Sequence, residues 1–461
     1  MVKKRVLSPL PILEGPLLEE ALQEGGFKPQ HLTAIWRECL AVANKDREQS
    51  GGQGVGELYL NLDGLKDMPK KLWPYLKDKF ALFTSRVTET QRSQDGTIKL
   101  LVRLQDEKEV EAVIIPHRKG EKGEKDGRRT LCVSSQVGCQ MACNFCATGT
   151  LGLQGNLWTG EILEQVLHAT RLVPIRNVVF MGEGEPLQNY EAVLQAIRSM
   201  WDPRLFGLRR THVTLSTVGV VPQMRRLTRD APNVQLALSL HAPNQKLRNY
   251  IVPSAQAFPL DKLMQALKDH MNAKSTRASQ GALIEYVLLA DVNDTDECAH
   301  ELAALMQGCE NEKLKVNLIP YNETFVPDSP FREPSQEQVQ NFRAILASYG
   351  LFVTVRNHHG RDIDGACGQL ALQSKNEAGA VTDIEDLGNG CGGGAGSRGG
   401  SAKAALTGRK RLANGASDGK REGGDLGWKR REALLLGVLV VGAVVSAVMV
   451  FAGTHMRRRG R

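Results

Sequence analysis

The rhythm of apolar and polar positions along the chain changes three times. From about residue 8 to residue 116, patches with apolar residues three and four apart, such as Leu17 to Leu22 and Leu32 to Val42, give way to alternating runs at Ile98 to Leu104 and Val110 to Ile115. That order predicts a small α+β accessory domain over residues 1–116. A charged stretch with several glycines, HRKGEKGEKDGRR, follows and reads as a surface loop. From Thr130 onward, short β-branched runs alternate with helical stretches, the pattern of βα units in a parallel sheet. Strands are predicted at Leu131 to Ser135, Asn177 to Met181, His212 to Ser216, Gln235 to Leu240, Leu283 to Leu288 and Lys315 to Ile319. Between and after them helices are predicted at Thr159 to Thr170, Tyr190 to Met200, Leu260 to Met271, Asp296 to Gln307 and Glu337 to Tyr349. Six units are too few to close an eight-fold barrel. The fold class expected for residues 117–375 is therefore α/β, an open (β/α)6 partial TIM barrel with its active-site residues at the C-terminal ends of the strands.

Beyond residue 375 the rhythm stops. Residues 376–432 are mostly Gly, Ala, Ser, Lys and Arg, with too little apolar surface to offset the entropy of ordering, and read as a disordered linker. Ala433 to Gly453 is then an uncharged stretch dominated by Val, Leu, Ala and Gly, about 20 residues long and sufficient to span a hydrocarbon core. It reads as a transmembrane helix, apolar on every face, where a helix buried in a soluble domain is the plainer alternative. Lys429, Arg430 and Arg431 precede it and Arg457, Arg458, Arg459 and Arg461 follow, so flanking charge does not choose an orientation.

Composition adds three constraints. Over the 461 residues, 41% are hydrophobic, enough for a sizeable core, and the formal net charge of +8 suits a polyanionic partner, although part of the excess lies in the tail. The nine cysteines are an odd number without the spacing of a small disulfide scaffold, which points to a reducing compartment, cytoplasmic or organellar. The N-terminal MVKKRVLSPLPILEGPLLEE has no apolar run long enough for a secretory signal. Its Glu14, Glu19 and Glu20 argue against an acid-poor transit peptide.

The chemistry is concentrated in CVSSQVGCQMACNFCATG, where Cys139, Cys143 and Cys146 stand in a C-x3-C-x2-C arrangement just after the first predicted strand of the barrel. Thiolates hold iron-sulfur clusters, and four irons ordinarily take four of them. Three close cysteines leave one iron open, which is where the amino and carboxylate groups of S-adenosylmethionine can chelate. A structural zinc site is the competing reading; it needs a fourth nearby ligand, and none lies just downstream. Phe145, between the second and third cysteines, resembles the aromatic of the radical-SAM motif.

With TLCVSSQVGCQMACNFCATG come FMGEGEPLQNY, VTLSTVGVVPQM, ALSLHAPN, VNLIPYN and DIDGACGQL. Over about residues 95 to 372 this ordered set resembles the radical-SAM adenine C2 methyltransferases that modify 23S ribosomal RNA and, in bacteria, some tRNAs. The resemblance implies a [4Fe-4S] cluster on Cys139, Cys143 and Cys146, S-adenosyl-L-methionine, an RNA partner and an electron donor for the cluster. It matches Cys367 to a cysteine that is methylated by one S-adenosylmethionine; a second is cleaved to a radical that takes hydrogen from the S-methyl group, whose carbon then adds to the base. Cys132 matches the cysteine that resolves the adduct by forming a disulfide with Cys367, and Glu111 the carboxylate that accepts the proton. Gly184, Glu185, Ser216, Ser239, Leu240, His241 and Asn322 match the cofactor-binding positions.

Taken singly, these residues have plainer readings: Glu111 a solvent-facing charge on an alternating strand, the cysteines small buried hydrophobes, a Ser or His at a strand end a structural hydrogen-bonding group. Departures from the family pattern are Glu183, where Met is usual, which sets an extra carboxylate beside the expected cofactor; Gly155, where Arg is frequent; a long loop at Lys119 to Arg129; and the membrane segment. Two other functions stay open, methylation at carbon 8 of adenine on the same fold and a catalytically lapsed RNA-binding protein. For RNA, basic runs at Arg204 to Arg210 and at Arg225, Arg226 and Arg229 are candidate guides for the phosphate backbone. The expected setting is a catalytic domain tethered to a membrane by the C-terminal helix.

Overall fold

The computed structural model describes residues 5–54, 57–62, 68–117, 128–273, 281–307, 314–324, 326 and 329–370. These lie in one compact unit, Met1–Ala380. The second unit, Val381–Arg461, lies outside the described residues, as do the expected linker at 376–432 and membrane helix at Ala433 to Gly453. Among the described residues no helix is long and apolar enough to cross a membrane.

Two short strands near the N-terminus, β1 (Leu10–Pro11) and β2 (Phe80–Ala81), pair in parallel. They precede an antiparallel meander of β3 (Arg86–Arg92), β4 (Ile98–Arg103) and β5 (Glu109–Pro116). After β6 (Arg129–Cys132) comes a small antiparallel pair, β7 (Gln136–Gly138) and β8 (Leu153–Asn156). The parallel series continues with β9 (Asn177–Phe180), β10 (Val213–Thr217), β11 (Gln235–Ser239), β12 (Ala282–Leu288), β13 (Leu314–Pro320) and β14 (Phe352–Val355). The main sheet has ten strands in the order β14-β13-β12-β11-β10-β9-β6-β5-β4-β3.

The sheet is therefore mixed: the meander pairs onto β6 and prolongs the parallel series. The six expected strands all form, and β14 adds a seventh that the sequence pattern did not reveal. Its short FVTV run is half exposed, with the burial alternating weakly along it, so it lacks the apolar signature of the central strands. Central strands such as β12 (ALIEYVL) are buried almost throughout, covered by helices on one side and the cavity layer on the other. The covering helices are amphipathic. Leu260–Asn272 turns Leu263, Met264, Ala266, Leu267 and Met271 inward, and Asp296–Gln307 buries Cys298, Ala299, Leu302, Ala303 and Met306. Each fully buried Leu or Met of this kind contributes roughly 1.5–3 kcal/mol.

The sheet is also curved. From β14 to β4 is eight strand spacings, about 38 Å if flat at ~4.8 Å each. Yet His359, four residues past the end of β14, lies 3.0 Å from Asp95 in the turn between β3 and β4, and four extended residues reach only about 14 Å. The two ends of the sheet must bend toward one another, and the chain after β14 crosses the gap.

The N-terminal segment is fastened to the helix Thr159–Leu172 by buried polar groups. The Arg5 guanidinium donates to Asp106 at 2.8 Å and to both oxygens of Glu161 at 2.7 and 2.8 Å. Glu164 accepts from the backbone N–H groups and the hydroxyls of Thr84 and Ser85. Glu14 accepts the N–H of Gly160 at 2.7 Å. Gly160 lets this happen, because a Cβ there would stand 2.3 Å from Pro11.

Candidate active site

A cavity of about 990 Å³, open to solvent, sits at the C-terminal ends of the parallel strands. Ten of the residues singled out from sequence line it: Cys139, Cys143, Cys146, Gly184, Glu185, Ser216, Ser239, His241, Asn322 and Cys367. They arrive from separate segments, the loop after β7, the turns after β9, β10, β11 and β13, and the chain beyond β14.

The cysteine loop is shaped by backbone contacts. Gly138 has φ +68°, and a Cβ there would stand 2.0 Å from the carbonyl oxygen of Gly152, so the loop can turn only at glycine. The Cys139 N–H donates to that same Gly152 carbonyl at 3.1 Å, and the Met141 N–H points at the Cys139 Sγ at 3.4 Å, a donor suited to a thiolate. Burial pushes the Cys139 thiol up to about 12, and its neighbours Cys146, Glu185 and Glu183 push the same way. Cys143 is raised by burial and by Cys146 and Cys139, and Cys146 by burial and, more weakly, Cys367. Three buried thiols whose ionisation is opposed in this way become thiolates together only when a cation compensates. Among the described residues no three His, Cys, Asp or Glu side chains converge on a point as ligands of one ion would. An iron-sulfur cube makes a different demand, with each thiolate taking its own iron, and three accessible thiols on one cavity wall fit it.

The turn after β9 packs tightly against this loop. Gly182 passes over Val133 and Ser134, and Gly184, at φ +94°, leaves 2.5 Å between a Cβ and Gln136. Glu185 is buried; its two oxygens accept the N–H groups of Leu187 at 3.0 Å and Val218 at 2.9 Å, and burial pushes it up to about 7 against those bonds. Across the cavity floor the Ser216 and Ser239 hydroxyls are 3.1 Å apart. His241 accepts the Val287 N–H at Nδ1, meets Phe145 edge-on, and is held neutral, pushed down to about 3 by burial and by the Arg248 cation. Arg248 itself is buried and donates to the carbonyls of Val218, Ser239 and Leu240, pinning the ends of β10 and β11.

Cys367 sits deep in the fold, yet its side chain is accessible because it faces the cavity. Its loop is tied to the rest of the site. The Asn322 amide donates to the Cys367 carbonyl at 3.2 Å, the Ala147 N–H to Gly368 at 2.9 Å, and the Thr148 hydroxyl to Leu370 at 2.5 Å. Cys132 and Cys367 are both free thiols.

Three of the residues singled out do not line the cavity. Leu240 packs its side chain into the core, with its N–H on the Glu285 carbonyl. Cys132 lies behind the wall in an apolar patch with Val113, Ile115 and Leu370, where burial and then nearby Cys367 push its thiol up to about 12. Glu111 is buried beside them: Val113 is the β5 partner of Cys132, and Glu111, two residues away, shares that face. It is not the solvent-facing charge that strand alternation alone would give. Its Oε1 pairs with Lys99 at 3.0 Å, and its Oε2 has no hydrogen-bond partner among the described residues. Burial raises its pKa, and Lys99 offsets part of the rise.

Glu183 overturns one expectation. Its carboxyl does not line the cavity; it turns back and accepts the Glu111 N–H at 2.9 Å and the Gly138 N–H at 3.3 Å. Burial, then Glu111, pushes it up to about 8. Gly155 also has a local account, because a Cβ there would stand 2.7 Å from the Arg5 Cδ, so the Arg5 side chain occupies the space above it. Most of the Lys119 to Arg129 loop lies outside the described residues. Of the basic runs, Arg204 is held by Asp202 and lies over Trp36, and Arg226 by Glu191 and Asp230 over Tyr190. Arg204 to Arg210 leads into the N-terminal end of β10, the end opposite the cavity.

Two charged residues of the cavity were not singled out from the sequence, Glu285 and Arg356. Each carried a signal: a lone carboxylate inside the apolar run ALIEYVL, and a cation directly after a β-branched run, where barrel strands present functional groups.

Comparison with known proteins agrees with this geometry. The model of the Radical SAM superfamily matches residues 133–297. A crystal structure of a radical SAM methyltransferase from Sphaerobacter thermophilus is 34% identical, covering 78% of this chain and 99% of that one, with a TM-score of 0.66. A domain of pyruvate-formate lyase-activating enzyme from Bacteroides vulgatus (18% identity, 39% of this chain and 99% of that chain, TM-score 0.30) is too distant to carry an argument. So is spore photoproduct lyase complexed with dinucleoside spore photoproduct (12% identity, 52% and 79%, TM-score 0.35).

Proposed function

Because the chain belongs to the radical SAM superfamily and is a radical SAM methyltransferase, we propose that its methyl acceptor is carbon 2 of an adenine in RNA, ribosomal RNA first and tRNA second. The single observation that carries the reading is the meeting of Cys367 with the three-cysteine loop in one cavity, with Cys132 directly behind the wall. A methyltransferase that moved the group straight from donor to acceptor would need neither cysteine. Carbon 2 of adenine is electrophilic and needs both, one to carry the carbon and one to release it.

Cys139, Cys143 and Cys146 would hold a [4Fe-4S] cluster, which would supply the electron that breaks the sulfonium bond of S-adenosylmethionine. The remaining roles fall to the chain's own side chains. Glu185, with both oxygens anchored by backbone N–H groups, presents a fixed carboxyl to the donor's amino group. Ser216, Ser239, His241 and Asn322 line the same space and complete the donor's polar contacts, with Leu240 contributing only through the backbone it shares with them. Cys367 carries the transferred carbon as a thioether, on a loop tied by Asn322 and Thr148. After carbon 2 has lost its proton, the Cys132 thiolate attacks the Cys367 sulfur: the S–S bond forms as the sulfur–methylene bond breaks, and the electron pair passes to the methylene carbon, which is protonated to the product methyl. Glu111 takes the proton from carbon 2 at Oε2, the oxygen with no hydrogen-bond partner among the described residues. The RNA must present its adenine unstacked, since carbon 2 is hidden in a folded helix. In the same proposal Ala433 to Gly453 tethers the enzyme to a membrane, which retention in the pellet after alkaline extraction checks.

The test is anaerobic reconstitution followed by nucleoside mass spectrometry of ribosomal RNA and tRNA against 2-methyladenosine and 8-methyladenosine standards. The expected product is 2-methyladenosine, and none with Cys367→Ala. The 8-methyl product would move the acceptor to carbon 8, and full activity of Cys367→Ala would remove the two-cysteine mechanism.

A further inference from the structure

Arg356 follows the last residue of β14, at the C-terminal end of the edge parallel strand, and its N–H still pairs with the Leu318 carbonyl at 2.8 Å. Its side chain lines the cavity beside Cys367, Asn322 and Glu285. Among the described residues its guanidinium makes no hydrogen bond and no ion pair. The groups nearest it electrostatically are Cys367, Glu285 and Cys132. None of the three offers a settled counter-charge, since both thiols and the carboxyl are pushed toward their neutral forms by burial, and Glu285 already accepts from Asn317 at 2.8 Å. A guanidinium has five N–H donors in a rigid fork and stays charged. Left without a partner in a sheltered site it is costly, so the occupant of the cavity must supply acceptors for it.

Which occupant does so follows from the sheet. Of the residues matched to the donor, Glu185, Ser216 and Ser239 stand at the ends of β9, β10 and β11; Asn322, past the end of β13, is the exception, and its amide is already held between the Cys367 carbonyl and His358. Arg356 stands three strands beyond β11, at the edge from which the Cys367 loop departs. What meets Arg356 is therefore the molecule that receives the carbon from Cys367.

We propose that Arg356 is the acceptor-recognition residue, donating its fork to a ring nitrogen that flanks the carbon being methylated. This deepens the function proposed above and rests on it. Carbon 2 of adenine lies between N1 and N3, two in-plane acceptors with free lone pairs. A guanidinium on either one orients the ring so that carbon 2 faces Cys367, and by drawing electron density from the ring it makes that carbon more receptive to addition. Lys at this position would keep the charge but lose the planar fork.

The experiment uses the full chain with its cluster and a synthetic RNA stem-loop carrying the adenosine methylated in the assay above, resynthesised with 1-deaza-, 3-deaza- or 7-deazaadenine at that position. Arg356→Met is expected to lower single-turnover methyl transfer roughly ten- to a hundredfold, the range for losing a charged hydrogen bond, and Arg356→Lys to recover part of it. Removing the contacted nitrogen, N1 or N3, should slow the wild type at least about tenfold more than it slows Arg356→Met, whereas the 7-deaza change should slow both alike. S-methylation of Cys367, read on its tryptic peptide, and iron content are measured in parallel. Equal sensitivity of wild type and variant to both the 1-deaza and 3-deaza changes would overturn the assignment. A loss confined to the S-methylation step would overturn it too, by moving Arg356 to the loading of the cysteine. If the wild type methylates no RNA at all, the functional reading and this inference fall together.

Discussion

Two buried polar regions of this protein, the seam along the helix Thr159–Leu172 and the cavity at the strand ends, are built from the same residue types and treat them in opposite ways. In the seam, carboxylates and cations are matched: Arg5 is shared between Asp106 and Glu161, Glu164 takes four donors, Glu14 takes one backbone N–H, and the Nδ1 of His168 is the exception. Among the described residues, Arg356 in the cavity has no side-chain partner, Glu111 behind its wall keeps one oxygen free, His241 uses one ring nitrogen and Cys367 faces open space. Saturated polar groups fix where two segments sit and have no capacity left for a ligand. Unsaturated ones destabilise the empty protein and are kept where something else is to complete them.

The sharpest break between the regions should come from Cys143→Ala. Reconstituted iron should fall from about four per chain to near background, and the visible absorbance with it, while the denaturation midpoint of the metal-free protein barely moves. A large loss of metal-free stability would make this loop scaffold, not site. Arg5→Met is the converse, expected to cost about 3–5 kcal/mol because Glu161 and Asp106 lose their counter-charge. Chemical denaturation measures it, and a change under ~1 kcal/mol would show that the seam does not hold the N-terminal segment.

Glu183→Met tests a residue that belongs to the site by position and to the scaffold by its bonds. Two buried N–H groups, of Glu111 and Gly138, lose their acceptor, for a loss of about 1–3 kcal/mol, with Kd for S-adenosylmethionine little changed. A large rise in that Kd would return Glu183 to the donor site. The smallest effect is a pH dependence in the seam. Burial pushes His168 down to about 3 from an ordinary value of 6.5, so the unfolded chain takes up a proton that the folded one refuses. The stability present above pH 6.5 is then lost as pH falls toward 3, by at most ~1.4 kcal/mol per unit. Unfolding of His168→Gln, followed from pH 7 to 5, should show a flatter dependence than the wild type; parallel curves would exclude His168 as its source.

Much of the local structure was legible along the chain. Asp296–Gln307 forms over the residues its periodicity indicated, and the strands β9 to β13 end within a residue of expectation, because β-branched runs bounded by Gly, Pro and Asn have few other options. What was not legible depended on partners distant in sequence. Nothing in Arg86–Arg92 or Ile98–Arg103 shows that these strands prolong the parallel sheet, since strand pairing is a choice among edges. Likewise, the carboxylate at Glu183 was expected beside the cofactor; only the N–H groups of Glu111 and Gly138, some seventy and forty-five residues away, reveal that it turns back from the cavity.

By itself the sequence determined the chemistry available: thiols at a spacing that suits an iron-sulfur cube, glycines where the backbone must approach closely, and polar residues at strand ends. These are local properties, set by covalent spacing and by the conformations each residue tolerates. The tertiary structure alone decided which of those groups meet. Cys143, Glu285 and Cys367 line one cavity, with Cys132 behind its wall near Cys367, because the sheet curves until its far edges are bridged by one loop, and curvature arises from the sum of many strand pairings that no single segment encodes.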